Sequence, residues 1–349
     1  MSTQALKKIL IFIVCFFAIG VVFHAMGTGT ILSPVPISDD NNSNYEGTID
    51  QTDPEVIETS SPESITYEED KEFGYSADNL IIDYIDTGNS DCILVRLDDK
   101  VFLIDAGDID DGDAIVKYLE NEGVMSIDAL ILTHPHADHI GGALEIIDNY
   151  PIEKVYMPKI HDEYVPTTRT YKNLLQALVS ENIPVESPNV GTSISNGANY
   201  DFFFLNSSNS DNDWQKSDLN NYSLVTYLVF GNHKYIFCGD ATKRNEDIIM
   251  SSWPDLDLDV EVLKAGHHCS KTSSSEKWIQ KTKPEHAICL VEKGNDYNHP
   301  HEIILNRFQK YNINVYRSDF DKTIRIYDNG EEYKIEQGLP SANGLPKEH

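Results

Sequence analysis

The chain holds 349 residues, with 57 acidic and 27 basic side chains and a formal net charge of −30. Such a charge repels phosphate backbones at long range and argues against a surface that coats DNA without specificity, yet it leaves a nuclease open, because bound cations invert the field locally. Hydrophobic residues make up 40%, enough for one sizeable core.

In chain order, Lys7 and Lys8 precede an uncharged apolar run, Ile9–Phe23. Residues 1–27 therefore read as a membrane segment. It is either an anchor, with the N-terminus inside and the bulk of the chain outside, or a signal peptide cut near Gly27; the anchor is preferred. Residues 28–77 are acidic and rich in Ser and Pro, with Pro34, Pro36, Pro54 and Pro62. Such a tract cannot bury enough apolar surface to offset its chain entropy, so it reads as a linker. A globular domain is expected over residues 78–330, and residues 331–349 read as a frayed tail.

Apolar runs bounded by turn residues predict strands over Leu80–Asp86, Cys92–Leu97, Val101–Ile104, Ala129–Leu132, Lys154–Met157, Tyr200–Leu205, Tyr222–Phe230, Tyr235–Cys238 and Glu261–Lys264. Helical spacing predicts helices over Asp113–Asn121, Gly141–Asn149, Thr168–Asn182, Thr242–Met250 and His301–Lys310. The polar stretch Asn206–Asn221 reads as a surface loop. No Cys-x-x-Cys pair occurs among the five cysteines, and Cys92, Cys238 and Cys289 lie in apolar strand-like runs. They are expected to be buried free thiols, with room for one bridge at most.

The densest chemistry is Thr133-His134-Pro135-His136-Ala137-Asp138-His139, at the end of a predicted buried strand and followed by Ile140-Gly141-Gly142. Imidazole nitrogen and carboxylate oxygen are the donors that zinc-like or manganese-like ions select. His134 and His136, two residues apart at a fraying strand end, can share one ion. Asp138 and His139, at the turn into a helix, can reach a second. Packing alone has no use for four such side chains together.

This motif resembles the metal-binding signature of the metallo-β-lactamase superfamily, and its flanking residues narrow the resemblance to the soluble hydrolase domain of ComEC-type DNA-uptake proteins and its secreted relatives. Asp86-Thr87-Gly88-Asn89-Ser90-Asp91 and Ile104-Asp105-Ala106-Gly107 resemble further family elements, although turn chemistry alone also accounts for Asp86 and Asp91. The resemblance implies that Asp105 orients a metal ligand and that Asp240, after Gly239, bridges the ions. Gly266-His267-His268-Cys269-Ser270-Lys271-Thr272-Ser273 resembles a Gly-His-His-Gly-Ser motif. It implies His267 as a ligand of the second ion with His268 close by, and Ser270 and Ser273 as phosphate or oxyanion contacts; Lys271 beside them is a further candidate for substrate contact. Cys269 stands where the family has glycine. Asn295-Asp296-Tyr297-Asn298-His299-Pro300 matches an Asn-x-Tyr-x-His-Pro element and implies that His299 steadies the leaving group or the nucleophile. Other superfamily members carry a further histidine between the first motif and the aspartate. Here that interval offers only His161 and His233, so the first ion is left with His134, His136 and Asp240.

The implied fold is a four-layer αββα sandwich. The implied activity is hydrolysis outside the cell with two divalent ions, Zn or Mn. Metal ligands would be His134, His136, Asp138, His139, Asp240 and His267, and Asp138, His299, Ser270 and Lys271 would serve catalysis. The expected substrate is a phosphodiester, with DNA as first choice. Phosphorylcholine on teichoic acid, or a metal-binding surface module without catalysis, are the alternatives. The N-terminal segment is the expected contact with the membrane, and no protein partner is evident.

Overall fold

The computed structural model describes residues 79–207 and 218–342, within one compact unit, Tyr75–His349. The predicted membrane segment and linker lie outside the described residues. Among the described helices none is long and apolar enough to cross a membrane.

Fifteen strands, numbered in chain order, form two sheets among the described residues. The first sheet contains β1 (Leu80–Tyr84), β2 (Ile93–Leu97), β3 (Lys100–Ile104), β4 (Ala129–Ile131), β5 (Val155–Tyr156), β6 (Val185–Glu186), β14 (Thr323–Asp328) and β15 (Tyr333–Leu339), in the order β15-β14-β1-β2-β3-β4-β5-β6. The second contains β7 (Ser193–Asn196), β8 (Tyr200–Phe204), β9 (Thr226–Phe230), β10 (His233–Phe237), β11 (Val262–Lys264), β12 (His286–Cys289) and β13 (Asn314–Arg317), in the order β13-β12-β11-β10-β9-β8-β7. Each sheet joins an antiparallel half to a parallel half, β3-β4-β5-β6 in one and β10-β11-β12-β13 in the other.

Side-chain alternation builds the layers. In β2, Ile93, Val95 and Leu97 face the other sheet, while Leu94 faces the outer helices. In β10, Tyr235 and Phe237 point between the sheets and Ile236 points outward. Successive strand residues alternate faces, so strands covered on both sides must be apolar throughout. Helices α1 (Gly112–Asn121), α3 (Ala143–Asn149) and α4 (Arg169–Ser180) cover the first sheet through Ile115, Leu119, Ile146 and Leu174. Helices α5 (Lys243–Ser252), α6 (Glu276–Thr282) and α7 (Glu302–Lys310) cover the second through Ile249, Trp278, Ile279 and Phe308. Short helices α2 (Ala137–Ile140) and α8 (Ser318–Asp321) complete the set. The expected αββα layering is thus the observed one.

Two expectations need correction. The tail is shorter than expected, because β15 pairs antiparallel with β14 and Tyr333 and Ile335 pack against the inter-sheet core. The cysteines are not all free: Cys269 and Cys289 form a disulfide, while Cys92 and Cys238 are buried thiols. The partners come from the loop after β11 and the end of β12, which are parallel neighbours. A helical crossover between parallel strands makes distant residues adjacent, so no short spacing announces the pair.

Candidate metal centre

Four strand ends meet at one edge of the sandwich. β3 leads into Asp105, β4 into Thr133 and the histidine run, β10 into Gly239-Asp240, and β11 into Gly266-His267-His268. The Ala106 N–H donates to the His139 carbonyl (2.8 Å), tying the β3 end to the histidine run, and the His267 N–H to the Gly239 carbonyl (3.0 Å), tying the β11 end to that of β10. Gly239 has φ +50°, and an added Cβ would lie 2.8 Å from Thr133 Oγ1. Only glycine lets the aspartate approach the histidine run so closely.

The Asp240 carboxylate is the centre of the site. It is buried, and its N–H donates to Ser223 Oγ (3.2 Å). Its Oδ1 lies 3.3 Å from His139 Nε2 and 3.6 Å from His268 Nε2. His268 Nε2 is also 3.3 Å from Asp138 Oδ2. These four groups offer donor atoms that all lie within 4.8 Å of one another. The other oxygen, Oδ2, lies 3.6 Å from His267 Nε2 and 3.9 Å from His134 Nε2, which in turn is 2.9 Å from His136 Nδ1. One carboxylate therefore faces two groups of imidazoles with its two oxygens.

This corrects one expectation. His268, not His267, stands with Asp138 and His139, and His267 faces the His134 side. The tandem histidines contribute one ring to each side.

The surroundings aim these rings inward. His139 Nδ1 lies 2.7 Å from Asp105 Oδ2, the orienting role expected of Asp105. His268 Nδ1 lies 2.8 Å from the Leu290 carbonyl and His267 Nδ1 2.8 Å from Thr272 Oγ1. A carbonyl only accepts, so His268 carries its proton on Nδ1 and bares Nε2 to the site. Asp240 Oδ1, His139 Nε2 and His268 Nε2 are buried without a hydrogen-bond partner among the described residues. Orphaned polar atoms are costly to bury, and a divalent cation satisfies all three at once. The donor set fits a metal.

Electrostatics sort the ligands into two kinds. Burial works to raise the Asp240 carboxyl, but the imidazoles of His139, His268 and His267 outweigh it and hold it well below the usual range. Burial, followed by the neighbouring His139, pushes His134 well below an ordinary histidine. Both shifts favour the unprotonated form that a cation needs, whereas for His139 and His268 burial works to lower the ring but the carboxylates around it, Asp240 first, outweigh it and raise both, so a cation bound there displaces protons.

The remaining expected residues are placed as follows. His299 is half-buried, its ring stacked on His268 at 6.2 Å and edge-on to His267 at 5.4 Å. Burial, then the nearby histidines, pushes it down to about 4. Asn295 fixes its backbone, accepting from the His299 N–H (3.0 Å) and donating to the His299 carbonyl (2.6 Å). Ser270 Oγ is 3.1 Å from Thr272 Oγ1 and serves the loop itself. Lys271 is exposed, and its N–H donates to His301 Nδ1 (3.1 Å). His161 and His233 lie elsewhere. The first accepts from the Glu163 N–H at a surface turn (3.4 Å), and the second contacts Asp328 (2.9 Å). Asp86 holds a turn by accepting from the Gly88 N–H (3.4 Å).

The residues matched by the metallo-beta-lactamase superfamily model, 85–291, contain every member of this cluster. The chain belongs to that superfamily. The ComE operon protein 3 of Bacillus subtilis (strain 168) is 33% identical over 211 residues, covering 60% of this chain and 26% of that protein. Recombination protein 2 of Haemophilus influenzae is 26% identical over 264 residues, covering 73% and 30%. The chain thus spans about a quarter to a third of the length of these curated relatives. The solved structure of CmlA, a diiron beta-hydroxylase from Streptomyces venezuelae, is 15% identical, covers 71% of this chain and 53% of that one, and has a TM-score of 0.46. The matches to ComE operon protein 3 and to competence protein ComA of Neisseria gonorrhoeae bear out the ComEC-type resemblance.

Lys264 escaped the sequence reading, and Asp91 was left there between a family element and simple turn chemistry. Lys264 is fully buried at the end of β11; its ammonium pairs with Asp91 and donates to the Gly239 carbonyl at 3.2 Å. Asp91 Oδ1 lies 3.5 Å from His268 Nδ1. A lone lysine inside the apolar run Val262-Leu263-Lys264-Ala265 was the available signal, since buried lysines need partners. Asp91 thus has a role beyond its turn.

Proposed function

We propose that this chain is a metal-dependent phosphodiester hydrolase acting outside the cell, tethered through its N-terminal segment, with DNA as its first-choice substrate. The observation that carries the chemistry is the Asp240 carboxylate, each oxygen turned to a different group of imidazoles. His134, His136 and His267 would hold one divalent ion, and Asp138, His139 and His268 the other, with Asp240 between them. Cations held there supply Lewis acidity, acidifying water and offsetting anionic charge that develops at phosphorus. Asp105 keeps the His139 ring in place by accepting its Nδ1 proton. His299 is neutral at pH 7 and stands beside both tandem histidines, where it can hydrogen-bond a leaving oxygen.

Two further observations support the setting. The Cys269–Cys289 disulfide suits an oxidising compartment. The matched relatives include one named competence protein ComA. The net charge of −30 opposes unassisted approach of a polyanion, so cation loading should govern affinity for such a substrate.

The test is a panel of single-stranded DNA, double-stranded DNA and small phosphodiesters, each assayed with Zn²⁺ and with Mn²⁺. Turnover is expected on at least one phosphodiester, and both His136→Ala and Asp240→Ala should abolish it and lower bound metal. A chain that binds its metal fully yet turns over none of the panel would be a metal-binding surface module instead.

A further inference from the structure

The His134 side of the centre contains one polar group that no motif announced. Asn220 lies on the short 3-10 turn Leu219–Tyr222, ahead of β9, and is 5% exposed. Its N–H donates to Asp218 Oδ1 (3.0 Å), which fixes the backbone. Its Nδ2 lies 3.5 Å from His267 Nε2. Its Oδ1 is buried and has no hydrogen-bond partner among the described residues. A buried, unpaired amide oxygen costs about 1–3 kcal/mol, so its position asks for a partner. Turning the amide about its last bond exchanges oxygen and nitrogen without moving the backbone. The oxygen then stands beside His267 Nε2, itself 3.6 Å from Asp240 Oδ2.

We propose that Asn220 Oδ1 is a ligand of the cation held on the His134 side of Asp240. The inference rests on the two-cation reading above and adds a neutral oxygen to a set otherwise made of imidazoles and one carboxylate. Carbonyl oxygens suit manganese-like ions better than zinc-like ions. Asn220 therefore makes the His134 side more tolerant of Mn²⁺ than three imidazoles and one carboxylate alone would be. Asp138, whose carboxylate serves the other side, gives that side two anionic donors together with Asp240.

The experiment is titration of the chelator-treated full chain with Mn²⁺ alone, free Mn²⁺ being followed by its paramagnetic resonance signal and bound metal by elemental analysis. Wild type is expected to take up two equivalents. Asn220→Ala should weaken one of them by roughly 10-fold or more and leave the other unchanged, and the retained equivalent certifies the fold. Asn220→Asp, which keeps the shape and adds charge, should tighten the same equivalent, and it decides the matter if the alanine variant does not fold. Wild-type titration curves for both variants would overturn the assignment. Asp240→Ala separates this failure from that of the underlying reading. If Asp240→Ala loses both equivalents while Asn220→Ala titrates as wild type, only the Asn220 assignment falls. If Asp240→Ala keeps both, the two-cation reading falls with it.

Discussion

Replacing Lys264 by methionine tests the support beneath the metal centre. Its side chain and that of Asp91 are 0% and 1% exposed, so the pair is held out of water. Burial disfavours the ammonium, and the carboxylates of Asp91 and Asp240 outweigh it. Without the ammonium, Asp91 keeps no strong cation. His139 Nδ1 is 3.9 Å away and already given to Asp105, and His268 Nδ1 is already given to the Leu290 carbonyl. Breaking one side of a buried pair typically costs about 3–5 kcal/mol, a large share of the roughly 5–15 kcal/mol that holds a domain folded. The Gly239 carbonyl loses a donor as well, which loosens the backbone one residue before Asp240. Asp91→Asn combined with Lys264→Met removes both charges and should recover most of the loss, with a coupling of about 2–3 kcal/mol in the double-mutant cycle. Urea unfolding of chelator-treated protein measures all four corners of the cycle. A single Lys264→Met variant within about 1 kcal/mol of wild type, or a double variant as costly as the sum of the singles, would refute the reasoning.

His299→Ala should lower kcat by roughly 10²–10⁴-fold, the span usual for a positioned acid–base group, with metal content unchanged. Normal kcat in that variant would reduce His299 to a part of the Asn295-held turn. Glu246 on α5 is 2% exposed, its Oε2 accepts from the Ser275 N–H at the start of α6 (3.0 Å), and burial pushes its carboxyl up to about 7. A carboxyl raised on folding contributes stability that is full below its unfolded value near 4.5 and is lost as pH rises through 7. Glu246→Gln keeps the hydrogen bond and should remove about 3 kcal/mol of stability change across that window, measured by urea unfolding at several pH values. An unchanged slope would place the titration elsewhere.

What could be read from the sequence was whatever is local. The strands β2, β3 and β10 announce themselves by alternation, because the two faces of each must fill two different apolar layers. The run from His134 to His139 is legible because six consecutive residues supply four ligands. The rest is non-local. Asp91 and Lys264 are 173 residues apart and meet only once the two sheets pack. Cys269 and Cys289 become neighbours through a parallel crossover. Asn220 is one asparagine in a polar stretch until the fold brings it to His267. The strand β15 was concealed differently. Tyr333 and Ile335 alternate as a strand should, but Glu331 and Glu332 precede them at the chain's end and imitate a tail.

The division of labour between His267 and His268 follows from an unusual backbone. His267, His268 and Cys269 have φ of 51°, 50° and 62°, three successive non-glycine residues in the left-handed region. Each such residue costs roughly 1–2 kcal/mol and occurs routinely only for glycine, asparagine or aspartate. A regular strand would send the two rings to opposite faces of the second sheet, one of them into the layer beneath α5 and α6. The left-handed turn instead lets both rings reach the same carboxylate, His267 at Oδ2 and His268 at Oδ1. Hydrogen bonds across the loop oppose the cost. The Ser270 N–H donates to the His267 carbonyl (2.7 Å), the Cys269 N–H to the Gly266 carbonyl (3.1 Å), and the His301 N–H to the Cys269 carbonyl (3.0 Å). Cysteine at position 269 gives up the freedom of the family glycine and gains a covalent tie to the end of β12. The histidine loop is thereby closed by two hydrogen bonds within itself, held by one from the start of α7 and tied to the second sheet by one disulfide. A strained backbone held this firmly is what a preorganised pair of ligands requires.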